Sequence, residues 1–106
     1  MSRIVIALGG NALQANPKDT TAEAQLVTAG QTSETIVDLI EEGHEIIVAH
    51  GNGPQVGQIV ATYEASASIN ENSPVMPFPE CGAMSQGYIG YHLQQSIGRS
   101  EERRVG

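Results

Sequence analysis

The chain has 106 residues, a formal net charge of −7 and a single cysteine. This length allows one domain at most, and one cysteine excludes an internal disulfide and suits a reducing cytoplasm. The apolar run Ile4–Leu8 is too short to span a bilayer or to serve as a signal peptide. Before residue 99 only Arg3 and Lys18 are basic, so binding to nucleic acid is disfavoured. We predict a cytoplasmic protein that binds neither nucleic acid nor membrane.

A strand followed by a glycine-rich turn occurs twice. The strand Arg3–Leu8 precedes Gly9-Gly10-Asn11, and a second strand ending at His50 precedes Gly51-Asn52-Gly53. Continuous β-branched runs are typical of strands buried on both faces of a parallel sheet. Glycine at their carboxyl ends lets backbone N–H groups approach a ligand, and ligands of open α/β sheets bind there. The pattern predicts part of an anion or phosphate site, although an ordinary tight turn would also explain a lone Gly-Gly.

A helix is predicted between the two strands. Thr20 or Thr21 can cap it, its apolar residues recur at spacings of three and four, and Gly43 suits its left-handed end. The second strand then begins at His44 or Glu45. Such a βαβ unit crosses over right-handed and places its strands in parallel.

The second half of the chain is predicted to be helical. Pro54 suits the start of one helix, a segment with three prolines from 70 to 80 forms a surface connection, and another helix follows from about Gly82 to Ile97. Gly87 and Gly90 on this last helix predict close packing against another backbone. Residues 99–106 continue no apolar pattern, so we assign residues 1–98 to the domain and 99–106 to a non-native or disordered tail. A natural, solvated helix end is the alternative.

Several reactive side chains are predicted to be structural. His50 lies where a general base could act, but a hydrogen bond to the backbone is the favoured role. Cys81 is expected to pack beneath the proline-rich segment, Lys18 to be exposed, and Ser85 to support the active-site loops without reacting. No two histidines, cysteines or carboxylates show metal-ligand spacing, so no metal site is predicted in this chain.

Three segments carry a resemblance to a known family. They read IVIALGGNAL, AHGNGPQVG and CGAMSQGYIGYHLQQ. In this order and spacing, from about Arg3 to about Ile97, they resemble the amino-terminal part of bacterial carbamate kinases, which have the amino-acid kinase fold. Several other amino-acid kinases carry a lysine just before the first Gly-Gly, where this chain has Ala7-Leu8. The resemblance implies a three-layer α/β/α sandwich with a mainly parallel sheet, of which this chain supplies the first part.

The resemblance also implies a reaction, the reversible transfer of a phosphoryl group from ATP to carbamate, giving ADP and carbamoyl phosphate. In cells, the reverse direction would make ATP during arginine or nitrogen catabolism. Phosphate binding would fall to Gly9, Gly10 and Asn11, and binding of the carbamoyl moiety to Gly51, Asn52 and Gly53. ATP or ADP with Mg²⁺ would bind to the full-length parent, a homodimer, and nothing is expected to be bound to the fragment.

Members of this family are much longer than 106 residues. We therefore expect an amino-terminal fragment that lacks the catalytic lysines, leaves an apolar sheet face uncovered and has no activity of its own. Two alternatives remain. One is a non-catalytic module that binds a small anion, and the other is a different amino-acid kinase.

Overall fold

The computed structural model describes residues 1–105, and Gly106 and the side chain of Asn11 lie outside the described part. The elements, in chain order, are β1 (Arg3–Leu8), α1 (Gly10–Leu13), α2 (Ala22–Glu41), β2 (Glu45–His50), α3 (Gly53–Ile69) and α4 (Phe78–Val105). The two strands form a parallel sheet, paired along their whole length so that Leu8 lies opposite His50. The predicted βαβ unit and both strands are confirmed.

The sequence signals at the ends of α2 act as predicted. At its start, Thr21 Oγ1 accepts a hydrogen bond from the Ala24 N–H at 3.1 Å, and Glu23 places a negative charge in the first turn. At its end, Gly43 adopts a φ of 92°, a conformation that a side chain would strain. The chain therefore turns directly from α2 into β2.

The core lies on one face of the sheet, beneath α2 and α4. It consists of Leu8, Leu13, Ala29, Ile36, Ile89 and Leu93. On the opposite face Val5 and Ile47 are 64% and 51% exposed, and Ala7 and Ala49 beside them are exposed too. Within residues 1–105, the strands are thus covered on one side only. The chain supplies two layers of the predicted three, and the expectation of an uncovered apolar face is confirmed.

The structure differs from the predictions at residues 10–13 and at both ends of α4. Residues 10–13 form the short helix α1 rather than a plain turn, because Leu13 turns inward and is 3% exposed in the core. Helix α4 begins at Phe78, inside the predicted connection, since a proline such as Pro79 is tolerated in the first turn of a helix. Glu80 in that turn also favours the helix start.

Helix α4 also continues to Val105 instead of ending near Ile97. Two buried serines, Ser96 and Ser100, continue its inner side, and the Arg104 guanidinium contacts carboxylates of α2. Residues 99–105 are therefore helical rather than disordered, while Gly106 lies outside the described residues. The domain limit at residue 98 stays a prediction.

The expected close packing at the two glycines of α4 is wrong. A Cβ atom on Gly87 would have nothing within 4 Å, and one on Gly90 would meet only the His50 ring, at 4.0 Å. The buried side of α4 instead contains Cys81, Ser85, Ile89 and Leu93, so Gly87 faces away from it. Of the helices in residues 1–105, none is both long enough and apolar enough to cross a membrane.

Candidate functional site

The two glycine-rich loops lie side by side at the carboxyl ends of the strands. The Gly51 N–H donates to the Leu8 carbonyl at 3.1 Å, which extends the strand pairing beyond β2. A Cβ atom on Gly10 would lie 3.2 Å from Pro54 Cγ, closer than ordinary van der Waals contact. Glycine at position 10 therefore lets the first loop approach the start of α3. The structure brings together the two loops that the sequence singled out.

The first loop is held by its own backbone. The Ala12 N–H donates to the Gly9 carbonyl at 3.2 Å, and the Gln14 N–H donates to the Gly10 carbonyl at 2.7 Å. Gly9 is exposed and precedes the first turn of α1. Asn11 belongs to α1, but its side chain, which was predicted to face a phosphate, lies outside the described part of the chain.

The second loop is held by a side chain that contacts α4. Asn52 Nδ2 donates to Ser85 Oγ at 2.7 Å and lies 3.4 Å from the Gly82 carbonyl oxygen. Gly51 and Gly53, on either side of Asn52, are exposed. The expected supporting role of Ser85 thus takes the form of a direct hydrogen bond to a predicted site residue. Sequence reasoning missed this pairing, although Ser85 falls midway between the buried Cys81 and Ile89 of α4.

The predicted surroundings of three other side chains are confirmed. His50 Nδ1 lies 3.0 Å from the Gly51 carbonyl oxygen, within hydrogen-bonding distance of the backbone. Cys81 is fully buried, and its thiol donates to the Met76 carbonyl in the proline-rich segment at 3.6 Å. Lys18 is exposed in the segment between α1 and α2.

Positively charged side chains are concentrated away from the loops. Arg3 pairs with Glu45 at 2.9 Å, at the other end of the sheet, and Arg103 and Arg104 pair with carboxylates of α2. In the described part of the chain, no three histidine, cysteine or acidic side chains come together as a metal site. The first turn of α3 and the Asn52 amide that precedes it offer neutral hydrogen-bonding groups, which suit a small anion or a polar uncharged group.

Comparison with known proteins identifies the family. Residues 2–102 match the Amino acid kinase family. The chain belongs to this family. It is 56% identical over 95 residues to a carbamate kinase of Clostridium perfringens, an alignment that covers 90% of this chain and 30% of that relative. It is 52% identical over 97 residues to carbamate kinase 3 of Staphylococcus aureus, with 92% and 29% covered.

Two solved structures superpose on most of this chain. A crystal structure from Aeropyrum pernix superposes with a TM-score of 0.86 at 35% identity, covering 98% of this chain and 32% of that chain. Carbamate kinase from Giardia lamblia bound to AMP-PNP superposes with a TM-score of 0.81 at 36% identity, covering 92% and 30%. This amino acid kinase chain thus spans about 30% of the length of the relatives that it matches.

A neutral cavity of about 410 Å³ lies beside the first turn of α3 in this amino acid kinase chain, between Gln55 and the aromatic side of α4. Burial lowers the pKa of His92 there. Burial also raises the pKa of Tyr88, whose hydroxyl donates to Gln25 Oε1 at 3.0 Å. Gln55 is 1% exposed, and neither polar atom of its amide has a hydrogen-bond partner within residues 1–105. This cavity was not identified from the sequence.

Proposed function

We propose that this chain forms the carbamate-binding part of a carbamate kinase. The observation that carries the proposal is the close approach of Gly10 to Pro54, which joins both glycine loops at one edge of the sheet. The 56% identity to a carbamate kinase supports the same reaction rather than that of another amino acid kinase. The reaction is reversible phosphoryl transfer between ATP and carbamate, and the full-length enzyme would be a cytoplasmic homodimer.

Each loop takes one part of carbamoyl phosphate. Phosphate binding is assigned to Gly9, Gly10 and Asn11, and binding of the carbamoyl group to Gly51, Asn52 and Gly53. The unpaired N–H groups in the first turn of α3 favour an anion by about 0.3–1 kcal/mol. A carbamate oxygen, already anionic, bonds to the γ-phosphorus of ATP as the bond from that phosphorus to ADP breaks. No general base is needed, which agrees with a structural role for His50.

ATP or ADP with Mg²⁺, when bound, would supply the phosphoryl group or accept it and neutralise part of its charge. The described residues hold no cluster of metal-binding side chains, so the proposal assigns Mg²⁺ no ligand in this chain. Phosphoryl transfer also relies on cations placed against the migrating group. Because Arg3, Arg103 and Arg104 are paired with carboxylates elsewhere, the 106-residue chain by itself is expected to be inactive.

A chimeric enzyme tests this function. In this chimera, the segment of the Clostridium perfringens carbamate kinase that aligns with this chain is replaced by the chain's own residues. We expect the chimera to make ATP from carbamoyl phosphate and ADP. The 106-residue chain should not. A folded chimera without activity would contradict the proposal, and phosphate binding by the isolated chain would then favour an anion-binding module. Turnover of acetylglutamate or aspartate instead would indicate another amino acid kinase.

Substitution of Asn52 locates the substrate. Asn52→Ala in the chimera should raise KM for carbamoyl phosphate about tenfold, the value of a hydrogen bond to a polar ligand, and leave KM for ADP unchanged. Gln86→Ala, at an exposed position of α4, is the control and should change neither constant. An equal rise in both constants for Asn52→Ala would show that the second loop does not hold the carbamoyl group.

A further inference from the structure

The hydrogen bonds around Ser85 leave only one orientation for the Asn52 amide. Ser85 is fully buried, and its hydroxyl donates to the Gly82 carbonyl of its own helix at 3.0 Å. A serine hydroxyl has one proton, so toward Asn52 it can only accept. Both groups that face Asn52 from α4, Ser85 Oγ and the Gly82 carbonyl oxygen, are therefore acceptors. The Asn52 NH₂ group must point at α4 and its carbonyl oxygen must point away.

This orientation has a cost for α3. Asn52 is the N-cap residue of α3, where an asparagine side chain normally accepts a hydrogen bond from an N–H group of the first turn. Here the side chain bonds to α4 instead. Loss of a normal asparagine cap destabilises a helix, so the chain gives up a stabilising interaction at this end of α3. Departures from the locally preferred arrangement are expected mainly at functional sites.

We propose that Ser85 is a positioning residue that makes Asn52 select a carbamoyl group over an acyl group. The inference rests on the proposed function, in which the second loop holds the carbamoyl end of the substrate. With its NH₂ group held by Ser85, Asn52 presents its carbonyl oxygen to the ligand. The NH₂ of carbamoyl phosphate can donate to this oxygen, whereas the methyl group of acetyl phosphate cannot. A site that is built to bind an N–H group leaves its acceptor unpaired with the analogue and rejects it.

The matched experiment compares two buried serines in the chimera. Ser85 and Ser33 are both completely buried, but the Ser33 hydroxyl has no hydrogen-bond partner within residues 1–105. The selectivity to be measured is the ratio of kcat/KM for carbamoyl phosphate to that for acetyl phosphate, with ADP as the phosphoryl acceptor. Ser85→Ala frees the amide to turn over, so the ratio should fall about tenfold. Ser33→Ala should leave the ratio unchanged.

A double substitution distinguishes positioning from packing. If Ser85 acts through Asn52, Ser85→Ala should not change the ratio further once Asn52→Ala is present. An equal loss for both substrates in Ser85→Ala, or independent effects of the two substitutions, would overturn the proposal. Should Ser85→Ala fail to fold, Ser85→Cys keeps the side-chain volume with a weaker acceptor and must lower the ratio. A chimera that is inactive before any substitution would refute the proposed function itself, which is a different result from unchanged selectivity.

Discussion

The two ends of the sheet are stabilised by different chemistry. At the carboxyl ends of the strands, the close contacts are made by backbone, a proline ring and neutral side chains, as between Gly10 and Pro54 or Asn52 and Ser85. The opposite end is held by ion pairs, such as the one between Arg3 and Glu45. A chain with a net charge of −7 thereby keeps its carboxylates out of the contacts that build the loop end. An anion could approach that end without like-charge repulsion from close neighbours.

The ion pairs at the charged end centre on one arginine of α4. The Arg104 guanidinium lies 2.6 Å from Glu34 Oε2, 2.6 Å from Asp38 Oδ1 and 3.1 Å from Glu41 Oε2. Arg103 also pairs with Glu34. Since α2 returns from the loop end toward the start of β2, these contacts tie α4 to α2 far along the chain from the glycine loops. The comparison indicates that ion pairs add to the apolar packing of α2 against α4 at one end, while neutral groups form the candidate site at the other.

The largest effect is expected from a side chain at the contact between the loops. Gly10→Val in the chimera would place its Cβ against Pro54, and overpacking of this kind costs about 1–3 kcal/mol. We expect a lower melting temperature and a loss of about tenfold in kcat/KM for carbamoyl phosphate. Gly57→Val is the control, because a Cβ there would have nothing within 4 Å. Equal behaviour of the two variants would show that the loops do not need to touch.

A substitution of Gln55 tests whether additional chain supplies hydrogen-bond partners for the loop end. Gln55→Met removes a buried amide that has no hydrogen-bond partner within residues 1–105, and it should stabilise the 106-residue chain by about 1–3 kcal/mol, measured by urea unfolding. The exposed Gln58→Met is the control, with little expected change. In the chimera, Gln55→Met should instead be destabilising, because the additional chain can supply the missing partner. Stabilisation in both proteins would show that the additional chain provides no partner for this amide.

A substitution of Arg104 tests how much the ion pairs between α4 and α2 stabilise the chain. Arg104→Met should lower the thermal unfolding midpoint of the 106-residue chain by a few degrees, since three carboxylates of α2 lose their shared cation. The effect is limited because solvent screens these exposed partners. Arg99→Met, at an exposed position of the same helix, should have a smaller effect. High salt should reduce the difference between the chain and its Arg104→Met variant. A midpoint unaffected by Arg104→Met would show that packing alone joins α4 to α2.

The smallest expected effects are two losses of stability in acid. Burial lowers the pKa of His92 in the folded chain. The folded state therefore keeps its full stability above the ordinary value of 6.5 and loses some of it as pH falls below that value, because a buried imidazole must then be protonated. The hydrogen bond from Arg104 lowers the pKa of Glu34. The stability that this ion pair gives the folded chain is present above pH 4.5 and is lost as pH falls further and the carboxylate is protonated. Melting temperatures measured from pH 8 to about pH 3 should show both steps. Arg104→Met should remove the lower step alone, and a profile unchanged by this substitution would contradict the assignment.

Much of the fold could be predicted because its signals are local. Thr21 caps α2 by accepting a hydrogen bond from the N–H of Ala24, three residues along the chain. Gly43 ends the helix because glycine tolerates a φ of 92°. The loops could be placed near each other because parallel strands bring their carboxyl ends to the same edge. The full extent of α4 could not be predicted, since its inner side continues through Ser96 and Ser100, which apolar periodicity does not count. The hydrogen bond of Asn52 to Ser85 was also missed, because it joins residues far apart in sequence.

The sequence by itself determined the strands, the capping of α2, the glycine loops and the family, because each depends on a short run of residues or on a motif. Tertiary structure alone decided which groups those motifs contact. Gly10 approaches Pro54 only because the sheet aligns Leu8 with His50, and the Asn52 side chain bonds to Ser85 instead of capping α3 only because α4 lies against it. Both contacts depend on how separate elements meet in space, and a linear pattern of residue types does not contain that distance.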